Sequence, residues 1–145
     1  MNDNIIEFIE KQKCASICCV DAEGNPYCFS CFYAFNADEG QFYFKSSADT
    51  YHIKIILANP SVAGTILPDK LSLFTVKGIQ FQGRVLSEEN AEIYKPAIHY
   101  HKRHIVALAI PGEVWTIQIS RIKMTDSSLG FGKKISWERN EVAVS

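Results

Sequence analysis

Apolar and polar residues alternate along much of the chain, a pattern that predicts a protein built mainly from β-strands. Turns rich in glycine, asparagine, aspartate and proline separate the alternating runs. We expect the first three strands to form a meander. The predicted strands are Cys14–Val20, Tyr27–Phe35, Gln41–Lys45, Ser61–Leu67, Leu71–Leu86 and Glu113–Thr125.

Three helices are also predicted. The first spans Asn4–Lys11, and Asn4 has the capping-box spacing to an acidic residue three positions later. The second runs from a cap at Asp49 or Thr50 to about Leu57, and the third spans Ser87–Arg103. All three are short, so we expect them to flank the strands.

The order of the elements predicts the fold class. Leu71–Leu86 is too long for a straight strand, and Gly78 and Gly83 are points where it can bend or bulge, as strands do at barrel corners. The strands do not alternate with helices in the way that builds a parallel sheet. We therefore expect one domain, residues 1–145, that is mainly β: a six-stranded antiparallel barrel with short flanking helices.

Aromatic residues are concentrated in one part of the chain. Of the 17 aromatic side chains, eight lie between Tyr27 and Phe44, on both faces of the predicted strands. Each face therefore needs a cover. We expect the barrel core to cover one face, and a flat ligand or a partner subunit to cover the other.

Charge and hydropathy exclude several classes of function. The 15 basic and 16 acidic residues give a net charge of −1, which does not favour binding to nucleic acid. The longest apolar run, Ile105–Pro111, is too short to cross a membrane, and Met1–Glu10 is unlike a signal peptide. We expect a cytoplasmic protein without a membrane partner.

Five cysteines invite a metal or redox interpretation. Cys28 and Cys31 form a C-x-x-C pair, which is found in zinc sites and thiol redox centres. No second C-x-x-C follows, and two residues three apart in a strand face opposite sides. We favour cysteines that pack as small hydrophobic residues, and we expect no metal site.

The segment from Phe42 to Leu57 carries the strongest local signal. A strand, a serine-rich turn and a helix follow one another, and a helix N-terminus offers free N–H donors to an anion. Lys45, Ser46, Ser47 and His52 are close enough in sequence to add side-chain donors. The segment is therefore a candidate phosphate site, with an ordinary capped helix as the alternative.

Two further clusters carry possible chemistry. His99, His101 and His104 could bind metal or haem, but on a helix they do not share one face, so we favour a helix end that complements the dipole. The tail from Gly130 to Arg139 combines glycines, aromatic rings and cations, which suits an anionic aromatic ligand or a dimer contact.

Taken together, these motifs resemble the FMN-binding split barrels related to pyridoxamine 5′-phosphate oxidase, and more narrowly an uncharacterised bacterial branch of that family. The resemblance covers nearly all of the chain from Cys14 to Arg139. The segments that carry it are Phe42–Ser47, Thr50–His52, Asn59–Ala63, Gly78–Gly83 and Thr125–Lys134 with Trp137.

The resemblance implies a homodimer of six-stranded split barrels that holds two FMN molecules in the grooves between subunits. Ser46 matches the hydroxyl residue that meets the FMN phosphate. His52 stands where most relatives have a phosphate-binding lysine or arginine, a departure for which the nearby Lys45 could compensate.

The remaining site residues also follow from the resemblance. Ser30, Cys31 and Phe32 match the strand whose backbone lies against the isoalloxazine ring, and Gln80 faces it from the long strand. The tail residues that approach the flavin from a subunit edge are Lys133, Lys134 and Trp137. The Arg-x-His pair that holds the vitamin substrate of the oxidase is missing, so pyridoxamine phosphate oxidation is not expected.

Two classes of function remain open, beside the metal or thiol chemistry at Cys28 and Cys31. The first is an FMN-dependent oxidoreductase of unknown substrate, in which the protein binds and orients the cofactor and no catalytic side chain is identified. The second is a non-catalytic split-barrel module that binds haem, a deazaflavin or another flat anionic ligand.

Overall fold

The protein was analysed as a computed structural model, which describes residues 1–130 and 133–140. The helices are α1 (Asp3–Lys11), α2 (Tyr51–Ala58), α3 (Glu88–Ala91) and α4 (Pro96–Arg103), and 3₁₀ turns cover Glu92–Tyr94, Ile105–Ala109 and Ser127–Leu129. The strands are β1 (Cys14–Val20), β2 (Pro26–Phe32), β3 (Ala34–Asn36), β4 (Gln41–Ser46), β5 (Ser61–Ile66), β6 (Lys77–Val85), β7 (Glu113–Asp126) and β8 (Lys134–Glu138).

All the strands belong to one curled antiparallel sheet. Its order is β2-β1-β5-β6-β7-β4-β3, and β8 pairs with the second half of β7. The fold is mainly β and of the split-barrel kind, as predicted. The sheet has eight strands instead of six because the segment predicted as Tyr27–Phe35 is divided in two and the tail adds β8.

The predicted meander is confirmed in its two hairpins, β1–β2 and β3–β4, but its middle strand is divided at Tyr33. The N–H of Tyr33 donates to the carbonyl of Lys13, and its buried hydroxyl donates to the carbonyl of Ile9 at 2.5 Å. This anchor beneath α1 separates β2 from β3. β4 then pairs with β3 and with β7, while β2 pairs only with β1 among the described strands.

The long strand predicted over Leu71–Leu86 is reduced to β6. β7 ends opposite Lys77, so residues 67–76 pair with no described strand, and Leu73 and Phe74 are almost fully exposed. The bend at Gly83 is confirmed by a register shift between Gln82 and Gly83. A Cβ at Gly83 would lie 2.4 Å from the carbonyl oxygen of Gln118, so only glycine fits there. Gly78 pairs without a shift.

Two helix predictions are also corrected. The helix expected over Ser87–Arg103 is interrupted at Lys95, whose φ of 51° is left-handed, because the following Pro96 disfavours a helical residue before it. α1 begins one residue earlier than predicted. Its cap is Asn2, whose side-chain oxygen accepts from the N–H of Asn4 at 2.8 Å.

The aromatic side chains of β4 are covered on both faces of the strand. The barrel core covers one face, and α4 covers the other. Phe42 and Phe44 point into the main core of the barrel, whereas Tyr43 packs with Tyr100 of α4. All three β4 rings are buried. The expectation of a flavin or a partner subunit on that face of β4 is therefore wrong. No helix in the described ranges is long and apolar enough to span a membrane.

Candidate functional site

The end of β4 and the start of α2 form a polar corner, made by Ser46, Thr50 and His52 and called here the Ser46–His52 corner. The Ser46 hydroxyl and the Nε2 atom of His52 are hydrogen-bonded at 2.7 Å. The Thr50 hydroxyl lies 3.3 Å from the same nitrogen and donates to the carbonyl of Ser47. Ser46 and His52, which were predicted only to be near in sequence, are thus in direct contact.

Two aromatic side chains hold the corner in place. The indole N–H of Trp115 donates to the carbonyl of Ser46 at 2.9 Å, which ties the end of β4 to β7. The ring of Phe29 on β2 stacks on the imidazole of His52, with ring centroids 3.9 Å apart and planes 12° from parallel. β2 therefore lies directly beside the corner.

The imidazole of His52 is neutral in the free protein. Burial lowers its pKa below the ordinary value of 6.5, so at pH 7 it carries one N–H. The ring can either accept from the Ser46 hydroxyl or donate to it, depending on its tautomer. An approaching anion would favour the protonated ring, which donates from both nitrogens.

The N-terminus of α2 opens onto this corner. Among the described residues, Thr50 makes no side-chain capping bond to the helix, because its hydroxyl is turned back to the preceding turn. The first N–H groups of α2 are therefore available beside a hydroxyl and an imidazole. This donor set can hold a tetrahedral anion such as a phosphate monoester.

Ser47 and Lys45, both predicted to join the site, are directed elsewhere. The Ser47 hydroxyl donates to the exposed carboxylate of Asp49, and this bond lowers the pKa of Asp49. Lys45 points to the opposite face of β4 from Ser46. Its Nζ donates to the carbonyl of Ala107 at 2.7 Å and to His101 Nε2 at 2.9 Å. Lys45 thus holds α4 and the following turn against β4, and it does not compensate for His52 at the corner.

The predicted residues of β2, Ser30 to Phe32, lie one to three positions beyond Phe29. Ser30 and Phe32 are exposed, and Cys31 is half-buried and packs against the core. Burial raises the pKa of Cys31 to about 12, so its sulfur stays a thiol. Cys28 and Cys31 face opposite sides of the strand, as predicted. Within the described residues, no three potential metal-binding side chains are grouped together.

Gln80 and the tail residues of β8 pair with the second half of β7, whereas the corner is held by its first half. Gln80 pairs with Lys123, and Trp137 pairs with Ile122, on the second half of β7. Trp115, which touches the corner, is seven residues before Ile122 on the same strand, roughly 23 Å at 3.3 Å per residue.

The tail itself is fastened to the barrel by β8. Trp137 packs over Gly40, and the guanidinium of Arg139 lies 5.6 Å from the Trp137 ring and donates to the carbonyls of Glu39 and Gly40. Lys133 and Lys134 are exposed. The glycine-bent stretch predicted between Gly130 and Lys134 includes residues 131 and 132, which lie outside the described residues.

The histidine cluster does not converge on one point. His101 Nε2 accepts from Lys45, and His104 Nε2 donates to the carbonyl of Tyr33 at 2.6 Å. His99 is exposed, and its ring lies tilted against Tyr43. The three rings make separate contacts, each to a different part of the β3–β4 region.

Sequence reasoning missed the contributions of Phe29 and Trp115. Both reach the corner from strands that are distant along the chain, Phe29 from β2 and Trp115 from β7. The pairing of Phe44 with Trp115 is a matter of strand register, and no local motif reports it. Thr50 was expected only as a helix cap.

Comparison with known proteins supports this architecture. Residues 1–126 match the family model described as pyridoxamine 5′-phosphate oxidase. A UPF0306 protein of Photorhabdus laumondii is 37% identical over 135 residues, which cover 93% of this chain and 94% of that protein.

Two solved structures share the fold. The haem-binding protein from Mycobacterium smegmatis superposes with a TM-score of 0.74 at 14% identity, covering 90% of this chain but only 55% of that longer chain. The FAD-binding protein from Mesorhizobium loti superposes with a TM-score of 0.66 at 16% identity, covering 87% and 95% of the two chains. The sequence matches and the shared split barrel agree: the chain belongs to the pyridoxamine 5′-phosphate oxidase family, in a branch with the UPF0306 proteins.

Proposed function

We propose that the protein is an FMN-binding flavoprotein, an oxidoreductase whose cofactor lies in a groove between two copies of the chain. The observation that carries this proposal is the Ser46–His52 corner at the uncapped N-terminus of α2. It contains Ser46, which the family resemblance matches to the hydroxyl residue that meets the flavin phosphate. An FAD-binding protein of the same fold adds support for a flavin ligand.

The corner fits a phosphate through hydrogen bonds more than through fixed charge. Ser46 and the first N–H groups of α2 donate to phosphate oxygens, and His52 takes up a proton to supply a positive charge. Lys45 does not contribute, because it is bound to Ala107 on the other face. The neutral resting state of His52 makes the site dependent on pH.

The edge of β2 fits the ring of the cofactor. β2 ends the sheet on one side, so half of its backbone groups have no strand to pair with among the described residues. Cys31 pairs with Ala15 through backbone hydrogen bonds, whereas Ser30 and Phe32 direct their N–H and C=O groups outward, away from β1. The outward groups can bond to the polar edge of a flat ring, and the bound flavin would supply hydride or electron transfer.

The position of the tail supports a two-subunit site. Trp137 lies on β8 and pairs with the far half of β7, so it does not reach the corner of its own protomer. A second copy of the chain is needed to bring a tail beside each corner. Exposed apolar side chains are available for such contacts. They include Leu71, Leu73 and Phe74 after β5 and Ile105, Val106 and Leu108 after α4.

The test is an absorption spectrum of the freshly purified protein, followed by titration with FMN and by sedimentation. We expect bound flavin or a saturable rise in thermal stability with FMN, and a dimer in solution. The variant His99→Ala should behave like the natural chain in the FMN titration, because His99 is exposed and outside the corner. A colourless monomer whose melting temperature does not respond to saturating FMN would refute the proposal.

Haem is the second candidate, favoured by the haem-binding protein of the same fold. The histidine cluster gives it limited support, because His101 and His104 already use their Nε2 atoms in hydrogen bonds to Lys45 and Tyr33. Titration with hemin distinguishes the two ligands. A Soret band that is lost when His99, His101 and His104 are all replaced by Ala would favour haem over FMN.

A further inference from the structure

Cys18 and Cys28 face each other across the β1–β2 hairpin. They are direct register partners in the antiparallel pair, although ten positions separate them in the sequence. The C-x-x-C spacing draws attention to Cys28 and Cys31, but those two side chains face opposite sides of β2. The thiol partner of Cys28 is Cys18.

The hydrogen bonds of the hairpin show which kind of pair this is. The N–H of Asp21 donates to the carbonyl of Asn25, and that of Tyr33 donates to the carbonyl of Lys13, so 21–25 and 13–33 are hydrogen-bonded pairs. Such pairs alternate with non-hydrogen-bonded ones along an antiparallel ladder. Counting from either end, the pair Cys18–Cys28 is non-hydrogen-bonded.

This geometry suits a disulfide. In a non-hydrogen-bonded pair the Cα atoms lie about 4.5 Å apart, the closer of the two antiparallel spacings. Disulfides span Cα separations from about 4.4 to 6.8 Å. The bond can therefore form without moving either strand. No other pair of cysteines is directly opposed in the described sheet.

Solvent reaches both sulfur atoms. Cys28 is exposed, and Cys18 is half-buried and lines a shallow concavity of about 450 Å³ on the outer face of the sheet. Burial and then the neighbouring Cys28 thiol raise the pKa of Cys18. Cys19 differs, because it is fully buried and its thiol donates to the carbonyl of Tyr27.

We propose that Cys18 and Cys28 form a redox-active dithiol, which a hydroperoxide oxidises to a cross-strand disulfide. The proposal does not depend on flavin binding. The exposed Cys28 sulfur attacks the O–O bond of hydrogen peroxide and becomes a sulfenic acid as one water leaves. The Cys18 sulfur then attacks the Cys28 sulfur, the S–S bond forms, and the sulfenic oxygen leaves as a second water. The two thiols lose two electrons and two protons, and the peroxide is reduced to two waters.

The bond is expected to be reversible. It would lie on the exposed face of an edge hairpin, where small thiols can reach it, and exposed disulfides are the labile ones. Two equivalents of glutathione would restore both thiols and leave as oxidised glutathione. Oxidation would fasten β2, the edge strand, to β1.

The test uses the full chain treated with hydrogen peroxide, followed by blocking of free thiols with N-ethylmaleimide and intact mass measurement. We expect the oxidised protein to lose two hydrogen atoms and to accept two fewer blocking groups than the reduced protein. Cleavage after Glu23 separates Cys18 from Cys28, so the two resulting peptides should remain joined until a reductant is added.

Three variants decide the assignment. C18S and C28S should each abolish the link, whereas C14S should leave it intact, because the exposed Cys14 faces Phe32 and not another cysteine. The melting temperature should rise on oxidation in C14S and in the natural chain, and in neither of the other two. A link that joins other cysteines, a link between two chains, or sulfinic acid at Cys28 without any link would overturn the proposal.

Discussion

Lys45 and Ser46, the last two residues of β4, lie on opposite faces of the strand, and each contacts a histidine. The two contacts have different consequences. On one side, Ser46 meets His52 at 2.7 Å, and on the other, Lys45 meets His101 at 2.9 Å. The lysine is also bound to the carbonyl of Ala107, so its donors hold α4 in place. The serine faces a helix N-terminus that no side chain caps among the described residues, so donors remain for a ligand.

The difference follows from the two-residue period of a strand. Successive side chains leave a strand on opposite faces, so neighbours in sequence belong to different surroundings. Proximity in sequence suggested that Lys45 would serve the phosphate site. The pleat of β4 instead turns the lysine towards α4, where it stabilises the packing, and turns the serine towards the corner for which we propose a role in binding. Four substitutions or conditions can separate these roles.

The largest effect is expected from Ser46→Ala combined with His52→Ala. Loss of the hydroxyl and of the imidazolium should weaken FMN binding by about 3 kcal/mol or more, roughly a hundredfold in Kd, because these are charge-assisted bonds to phosphate. Flavin fluorescence titration measures it. The exposed pair Ser72→Ala and His99→Ala is the control, and an unchanged Kd in the corner variant would mean that the phosphate binds elsewhere.

Lys45→Met should act on stability and not on binding. Removal of the ammonium leaves the carbonyl of Ala107 and His101 without their donor, at a cost of about 1–3 kcal/mol in the free energy of unfolding. Denaturant unfolding measures the loss, with Lys54→Met on the exposed face of α2 as the matched control. A large loss of FMN affinity without a loss of stability would mean that Lys45 contributes to FMN binding and not to the packing of α4.

Trp115→Phe should affect both properties slightly. The ring is kept, but the carbonyl of Ser46 loses the indole N–H that ties it to β7. We expect about 1 kcal/mol less stability and a small loss of FMN affinity from the looser corner. Urea unfolding and FMN titration of the same samples test this. Equal losses at Trp137→Phe, on β8 beside the far half of β7, would show that the effect is not local.

The smallest effect is a pH dependence through His52. Its pKa lies below 6.5 in the folded protein, so the unfolded chain binds the proton first, and His52 reduces stability as the pH falls below about 6.5. A bound phosphate favours the protonated ring. FMN affinity should therefore rise as the pH falls from 8 to 6, by about threefold in all for a binding-induced rise of roughly one unit in the pKa of His52.

His52→Gln provides the matched control for this pH effect. Glutamine keeps a hydrogen-bonding side chain but does not titrate. Any change that remains in the variant belongs to the phosphate group of FMN itself. If the natural chain and the variant show the same pH profile, His52 does not bind the phosphate.

Much of the fold could be predicted, because alternating patterns report strands wherever a neighbouring strand exists. β1 and β7 match their predicted spans closely. The pattern over Leu71–Leu86 failed because residues 71–76 have no described strand to pair with, although they alternate as well. Pairing partners are set by tertiary contacts such as the buried Tyr33 hydroxyl, and these leave no periodic signal.

The candidate site was predictable only where it is local. Ser46 and His52 are six residues apart in a strand, turn and helix, so their meeting follows from the chain itself. Phe29 and Trp115 reach the site because of strand register. Strand register also places Cys18 opposite Cys28. The C-x-x-C spacing pointed to the wrong pair because a strand turns positions three apart away from each other.

The central claim is that the Ser46–His52 corner binds the phosphate of FMN, and the most direct test compares FMN with riboflavin, which has the same ring but no phosphate. Calorimetric titration of the protein should give a much lower Kd for FMN than for riboflavin. The difference should disappear in the variant that carries both Ser46→Ala and His52→Ala. Equal affinity for the two flavins in the natural chain would contradict the account.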